Sequence, residues 1–446
     1  MFATSPSNGP TEEALVTNPV ETSLALSDIR VLDLAGEPGW YCGKLLAELG
    51  ADVIKVEPPG GDPGRRIGPF YHDEVDPQKS LYFFAHNTSK RSVTLNVATA
   101  DGLALFRRLA ATADVVIESF PPGFLESLGV GYQALAQTRP GIIVASITGF
   151  GQSGPHSHYK GPDIVAVAMS GMMYLAGFPE EAPIRPYGNQ SYYCASVQAA
   201  TGILTALLHR DRTGEGQQVE VSMQEALSMN QETAMQTWDI RGDLRRRTGN
   251  ERRLPAVGVY ECKDGYMTFY VGIPGFGAPW PALLQWMADE GMAEDLLSDE
   301  WQGVFQSMDM RLIAQLYFGH EAELNALWKP RLAHVGEVLA RFVRVHTMQE
   351  MYEEGQRRGL LVAPCNTPKD IVENAQLNYR RWFASASHPE LEATLTYPGP
   401  PYRLSETPWR LRGRPPLIGE HNREVYCDGL GLSPEQLAAL SGAGVV

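Results

Sequence analysis

Apolar and polar positions alternate in blocks along the first ~150 residues. Ile29–Leu34 is a short, mostly apolar run, and a turn of Gly, Glu and Pro follows at Gly36–Gly39. Tyr41–Leu49 then has a helical apolar period. Ala51–Val56 is strand-like again until Pro58, Pro59, Gly60 and Gly61 stop it. This is a strand–helix–strand unit. The pattern returns with a strand at Ser92–Leu95, an amphipathic helix over Asp101–Ala113 and a strand at Asp114–Ile117, closed by Phe120-Pro121-Pro122-Gly123. A helix at Tyr132–Gln137 leads to the strand Gly141–Ile147. Such alternation predicts parallel strands with helices on both faces, a doubly wound α/β domain.

Later segments read differently. Ile164–Ala176 and Ala195–Arg210 predict long buried helices. Thr213–Gly216 is a turn, followed by a strand at Gln218–Val221 and a helix from Gln224. Arg245–Arg253 is basic and polar, as a linker would be. Val257–Val271 alternates around Lys263-Asp264-Gly265, which predicts a β-hairpin in a smaller second domain. Helical patterning then runs to about Gly359, and the remainder is Pro-rich and ends in a short helix.

Charge narrows the function. Asp and Glu number 52 against 37 Lys and Arg, for a net charge of −15. That excludes a general nucleic-acid binder and argues against an anionic membrane surface. An anionic substrate would need a local cluster of cations or N–H groups. The 446 residues can bury a core without disulfides or a metal. The cysteines (Cys42, Cys194, Cys262, Cys365, Cys427) form no CxxC pair and no zinc spacing, which points to a reducing cytoplasm. Residues 1–24 are polar and lack the features of a signal peptide, so they are expected as a disordered tail. The longest nearly apolar stretch, Ile164–Gly177, is shorter than the ~20 residues a bilayer requires.

Isolated motifs favour plain readings. Gly149-Phe150-Gly151-Gln152-Ser153-Gly154 spells GxGxxG after a strand, but Pro155 and His156 continue it as a loop where a dinucleotide fingerprint needs a helix. His156 and His158 lack a third ligand nearby and read as solvated loop residues. Asp163 reads as an N-cap of the next helix in preference to a catalytic group. Lys90-Arg91 either faces a phosphate or lies on a solvated edge.

Taken in order, several segments resemble one family. They are Val31-Leu32-Asp33-Leu34, Leu49–Glu57 (LGADVIKVE), Lys90–Leu95 (KRSVTL), Ala113–Phe120 (ADVVIESF), Gly149–Gln152 with Gly154-Pro155, Thr213–Gln217 and Leu417–His421 (LIGEH). The chain resembles the family III CoA-transferases of the CaiB/BaiF type. The resemblance implies a Rossmann-like α/β large domain completed by the C-terminal segment, a smaller α+β domain and an interlocked dimer. It places the large domain over 25–230, a linker over 231–253, the small domain over 254–350, and a linker with the return to the large domain over 351–446.

The implied chemistry is covalent. An Asp carboxylate attacks an acyl-CoA thioester, and an aspartyl-CoA thioester then passes CoA to an acceptor acid. Here the position of that Asp holds Tyr192, and no Asp or Glu lies between Glu181 and Asp211. A phenol of pKa ~10 cannot become an acyl carrier for CoA. A second active-site position holds Glu37. Lys160, Ser119, Phe120 and Leu95 fall at CoA-contacting positions, while two phosphate-binding arginines of relatives are replaced by Pro58 and Ser127. A Gly-rich loop is replaced by Arg253–Val257. Pro162 stands where the related racemases have a His. Tyr192, Tyr193 and Trp40 are expected to make the pocket bulky and aromatic.

Heteromeric members such as benzylsuccinate CoA-transferase have one subunit without the Asp. The implied reading is therefore a cytoplasmic, non-nucleophilic subunit acting with an Asp-bearing sister chain. It would move CoA from an acyl-CoA such as succinyl-CoA to a carboxylic acid, with an aromatic succinate among the candidates. Coenzyme A enters as substrate, with no metal, no nucleotide redox cofactor, no nucleic acid and no membrane. The alternatives are a pseudoenzyme that binds acyl-CoA or a partner, and an acyl-CoA isomerase using Glu37 or Asp163 as base.

Overall fold

The computed structural model describes residues 24–250, 254–273, 280–318 and 322–446. The expected tail lies outside them except for Leu24, and 251–253 of the expected linker lies outside as well. The chain divides into two compact units. The larger runs to Met173 and also takes Arg185–Leu244 and Arg381–Val446; the smaller holds Tyr174–Ile184 and Arg245–Arg380.

The larger unit is built on six parallel strands: β1 (Arg30–Asp33), β2 (Asp52–Glu57), β3 (Arg91–Thr94), β4 (Val115–Glu118), β5 (Ile143–Thr148) and β6 (Gln218–Ser222). Their order across the sheet is β3-β2-β1-β4-β5-β6, with Val31 of β1 paired to Val53 on one side and Val115 on the other. Every residue of β4 and β5 is buried, as expected where both faces of a parallel sheet are covered. Successive residues feed opposite cores. Val31 joins Cys42, Leu46, Ala199 and Ile203 from the helices Glu37–Glu48 and Gln190–Thr213. Leu32 joins Leu105, Phe106 and Leu109 of the helix Ala100–Ala110, together with Tyr426 and Val446. The C-terminal segment is stitched alongside β3: Thr94 N–H donates to Asn422 Oδ1 (2.9 Å), and Tyr426 Oη donates to the Thr94 carbonyl (2.9 Å).

The smaller unit has a three-stranded antiparallel sheet, β7 (Val257–Glu261), β8 (Tyr266–Tyr270) and β9 (Val362–Pro364), packed against helices that include Trp280–Asp289 and Ala322–Arg344. The hairpin reading describes β7 and β8. The third strand comes from beyond the helices, which local alternation does not signal.

Four local expectations need correction. Gly36–Gly39 is not a free turn: the helix already starts at Glu37, with Pro38 in its first turn, where a missing N–H costs nothing. Ile164–Ala176 is not one buried helix. It is Asp163–Met169 and Met172–Leu175, broken at Gly171, whose φ of +89° suits glycine. The second long helix runs over Gln190–Thr213, and the left-handed Gly214 caps its end. It is buried on one side only; Val197 (44%), Leu204 (38%) and Leu208 (52%) are exposed on the other. Within the segment expected as a linker, Ala234–Arg241 forms a helix.

Candidate active site

The strand order of the larger unit reverses direction between β1 and β4, and open α/β sheets bind ligands at that switch point, beyond the carboxyl ends of the strands. A crevice of about 480 Å³ opens there. Its walls are Leu34 after β1, Val56 and Pro58 at β2, Leu95 after β3, and Ser119 and Phe120 after β4. Gly36, Glu37 and Pro38, Asp62–Gly64, and Asn96–Ala98 complete it. The crevice therefore gathers Glu37, Leu95, Ser119 and Phe120, four of the residues singled out by sequence. Gly36 N–H donates to Ser119 Oγ at 2.8 Å, tying the loop after β1 to the loop after β4. Glu118, just behind, accepts the Phe120 N–H at 2.6 Å. Burial pushes its carboxyl up to about 7.

Beneath the crevice lies a buried charge network made of the family-like motifs. Asp33 Oδ2 accepts Lys90 Nζ at 2.7 Å, and Asp33 Oδ1 accepts the Ala35 N–H at 3.1 Å. Lys55 pairs with Asp62 at 3.0 Å and donates to the Ala35 carbonyl. Asp62 in turn accepts Trp40 Nε1 (3.1 Å) and the Gly64 N–H (2.9 Å). Glu57 takes Arg65 through two bonds, 2.6 and 2.8 Å, and Ser92 Oγ at 2.6 Å. Burial pushes the Asp62 carboxyl up, but Lys55 and the Gly64 and Trp40 donors outweigh it and hold it below its ordinary value. Lys90 is shifted down because desolvation exceeds the help from Asp33.

These contacts settle an open reading. Lys90 neither faces a phosphate nor lies on a solvated edge; its side chain is wholly buried. Arg91 pairs with Asp52 (2.6 Å) and Glu424 (2.8 Å). Trp40 is also fully buried, so the expected aromatic pocket wall does not include it.

A second cluster surrounds the first turn of Gln190–Thr213, which carries Tyr192. The Tyr192 hydroxyl accepts the backbone N–H of Asp163 at 3.3 Å. Burial raises its pKa, the bond from Asp163 opposes this, and the charges of Glu37 and Asp163 raise it further. Asp163 is not the side-chain cap of its own helix, because Pro162 occupies the N-cap with no side-chain bond. Instead its buried carboxylate caps the other helix: Oδ1 accepts Ser191 N (2.9 Å) and Ser191 Oγ (2.8 Å). Its Oδ2 accepts Arg185 Nη2 at 2.6 Å. Arg185 also donates to Asn189 Oδ1 (2.6 Å), Asn189 donates to Tyr82 Oη (2.7 Å), and Tyr82 donates to Glu37 Oε2 (3.0 Å). Desolvation raises the Glu37 pKa against the opposing Tyr82 bond, and Asp62 adds to the rise.

His86 completes this cluster. Its Nδ1 lies 2.8 Å from the Tyr82 carbonyl, which can only accept, so Nδ1 carries the proton. Nε2 then accepts the Tyr193 hydroxyl at 2.7 Å. Burial lowers the His86 pKa to about 4, so the ring is neutral. Sequence reading missed Tyr82, His86, Arg185 and Asn189. The one available signal was the i, i+4 spacing of Tyr82 and His86 behind the cap Ser80.

The remaining candidates lie elsewhere. Lys160, His156 and His158 are exposed on the loop after β5. In that loop Gly149 packs on Gly161 so closely that a Cβ at Gly149 would come within 2.8 Å of the Gly161 Cα. The loop has no helix before Asp163, so GxGxxG serves close backbone packing here. Pro58 lines the crevice, while Ser127 ends the short helix Phe124–Ser127.

Comparison with known proteins identifies the family and the fold. The model of CoA-transferase family III matches residues 26–422. Subunit BbsE of succinyl-CoA:(R)-benzylsuccinate CoA-transferase from Thauera aromatica is 36% identical over 90% of this chain and 93% of that protein. The beta subunit of succinyl-CoA–L-malate CoA-transferase from Chloroflexus aurantiacus is 31% identical over 95% of this chain and 99% of its own length. Among solved structures, a CAIB/BAIF family protein from Brucella suis superposes with a TM-score of 0.76 at 26% identity, covering 91% of this chain and 99% of the other.

Proposed function

The chain belongs to CoA-transferase family III, and on that premise we propose that it is the non-nucleophilic subunit of a two-subunit CoA-transferase. Its Asp-bearing sister chain forms the acyl intermediates. The sister's carboxylate attacks the donor thioester, giving a mixed anhydride and CoA thiolate. The thiolate attacks the aspartyl carbonyl, releasing the donor acid and leaving the aspartyl-CoA thioester. The acceptor carboxylate then repeats both steps in reverse, restoring the Asp. The donor is an acyl-CoA, with succinyl-CoA first among candidates because two relatives carry it in their names. The acceptor is a carboxylic acid, with an aromatic succinate among the candidates.

The observation that carries this reading is Tyr192. Its hydroxyl sits on the Asp163 N–H in the first helical turn, at the position where the family resemblance expects the nucleophilic carboxylate. The apolar outer face of Gln190–Thr213 supports a sister chain as the covering partner in an interlocked dimer. A helix apolar on both sides belongs between two packed bodies. A cytoplasmic location fits the free cysteines.

The test is CoA exchange between succinyl-CoA and labelled succinate. This chain alone is expected to be silent, and adding the sister chain to start exchange. Exchange by this chain alone, at about 1–10³ per second, overturns the proposal. Silence in both cases favours a pseudoenzyme. A second reading, an acyl-CoA isomerase, draws on Glu37, which lines the crevice with a raised pKa. Exchange of the substrate α-hydrogen with solvent, lost in Glu37→Gln, would favour it.

A further inference from the structure

The crevice has the size and placement for a ligand, yet its lining contains no Lys, Arg or His, and Glu37 adds negative charge. Coenzyme A carries a pyrophosphate and a 3′-phosphate. A chain of net charge −15 repels such an anion unless a local cation intervenes. Nearby cations are already engaged. Lys55, Arg65, Lys79 and Lys90 are all ion-paired, three of them deep in the interior. Arg65 is further held under the Phe83 ring, 3.7 Å from its centroid.

Arg66 differs from each of these. It ends the turn Pro63–Arg66, whose first two residues line the crevice, and it is exposed. No carboxylate partners it among the described residues. The turn itself is pinned at its base: Asp62 Oδ1 accepts the Gly64 N–H, and Arg65 is locked onto Glu57. An unpaired guanidinium on a fixed turn at a ligand crevice is well suited to phosphate, whose oxygens its planar fork matches.

We propose that Arg66 anchors the phosphates of CoA in this chain, in place of the two arginines whose positions hold Pro58 and Ser127. The inference rests on the reading that the crevice takes CoA. It deepens that reading by naming the group that lets a crevice with no cation in its lining bind a polyanion.

The experiment is calorimetric titration of the full chain with CoA and, separately, with pantetheine, which lacks the phosphates, across a salt series. Wild type is expected to bind CoA more tightly than pantetheine, with an affinity that falls as salt rises. Arg66→Ala is expected to weaken CoA binding about tenfold or more and flatten the salt dependence. Pantetheine binding should stay as in wild type, and Arg66→Lys should recover part of the CoA affinity. Arg66→Ala binding CoA as wild type does, with the same salt dependence, overturns the anchor alone. No CoA binding by wild type overturns both the anchor and the crevice as a CoA site. The exchange assay with the sister chain judges the transferase reading separately.

Discussion

The floor of the crevice and the first turn of Gln190–Thr213 are linked through Glu37, Tyr82 and Asn189 and are built by different means. The floor is a set of full charges, Asp33, Lys55, Glu57, Asp62, Arg65 and Lys90, all buried and ion-paired. The helix turn has hydroxyl, amide and imidazole groups arranged around the Asp163–Arg185 ion pair, and in it Tyr192 accepts from the Asp163 N–H and neutral His86 accepts from Tyr193. The floor keeps residues that a fold needs, because removing one charge strands its partner in low dielectric. On the proposed reading, the helix turn carries a phenol where the sister chain carries its carboxylate, and that phenol has a hydrogen bond of its own.

The sharpest way to break that contrast is to place a carboxylate at position 192. Tyr192→Asp places it in the first turn, where the helix dipole favours charge and the Asp163 N–H is a ready donor. Incubation with succinyl-CoA followed by intact mass measurement should show a CoA thioester on the variant and none on wild type. No adduct on a folded variant that binds CoA would mean that more than the nucleophile has been lost.

The next largest effect is expected at the floor. Asp33→Ala leaves Lys90 without its 2.7 Å partner. It should cost about 3–5 kcal/mol of stability, read as a lower denaturant midpoint. Tyr192→Phe, which removes a single long bond to a backbone N–H, should shift the same midpoint far less. Equal shifts would erase the distinction between the two regions.

The smallest effect is a pair of opposed pH dependences. Glu118, beside the crevice, has its carboxyl raised from 4.5 to about 7 by burial. Its stabilising contribution is complete below pH 4.5 and is lost as pH rises through 7. His86, at the helix turn, is lowered from 6.5 to about 4 by burial. Its contribution is complete above pH 6.5 and is lost as pH falls through 4. Each slope is at most about 1.4 kcal/mol per pH unit. Between these limits Glu118→Gln should make stability rise more steeply with pH, and His86→Gln should make it rise less. Unfolding midpoints measured across that range check both signs.

Much of the fold was legible beforehand. All six parallel strands overlap segments read as strands in the sequence; for β4 and β5, buried on both faces, the apolar run is itself the signal, whereas β3 and β6 are short and mixed. The break at Gly171 was not legible: the apolar run continues through it, and only the backbone turn stops the helix. Lys90 was ambiguous because a cation at the start of a strand has the same local pattern whether it meets Asp33 or water. Asp163 looked like a cap for the helix it precedes. Its carboxylate bonds instead to Ser191, which the loop from Gly177 to Asn189 brings back to it.

The sequence by itself determined the alternation of strands and helices and the absence of a carboxylate across 182–210. Both are properties of neighbouring residues and need no folded chain to be read. Only the tertiary structure decided that the motif charges are paired beneath the crevice, that Trp40 is buried and that Arg66 is exposed with no carboxylate partner among the described residues. Those outcomes depend on residues distant in the chain meeting in space. Burial then sets the cost of a charge, and periodicity carries no record of which partner will be there to meet it.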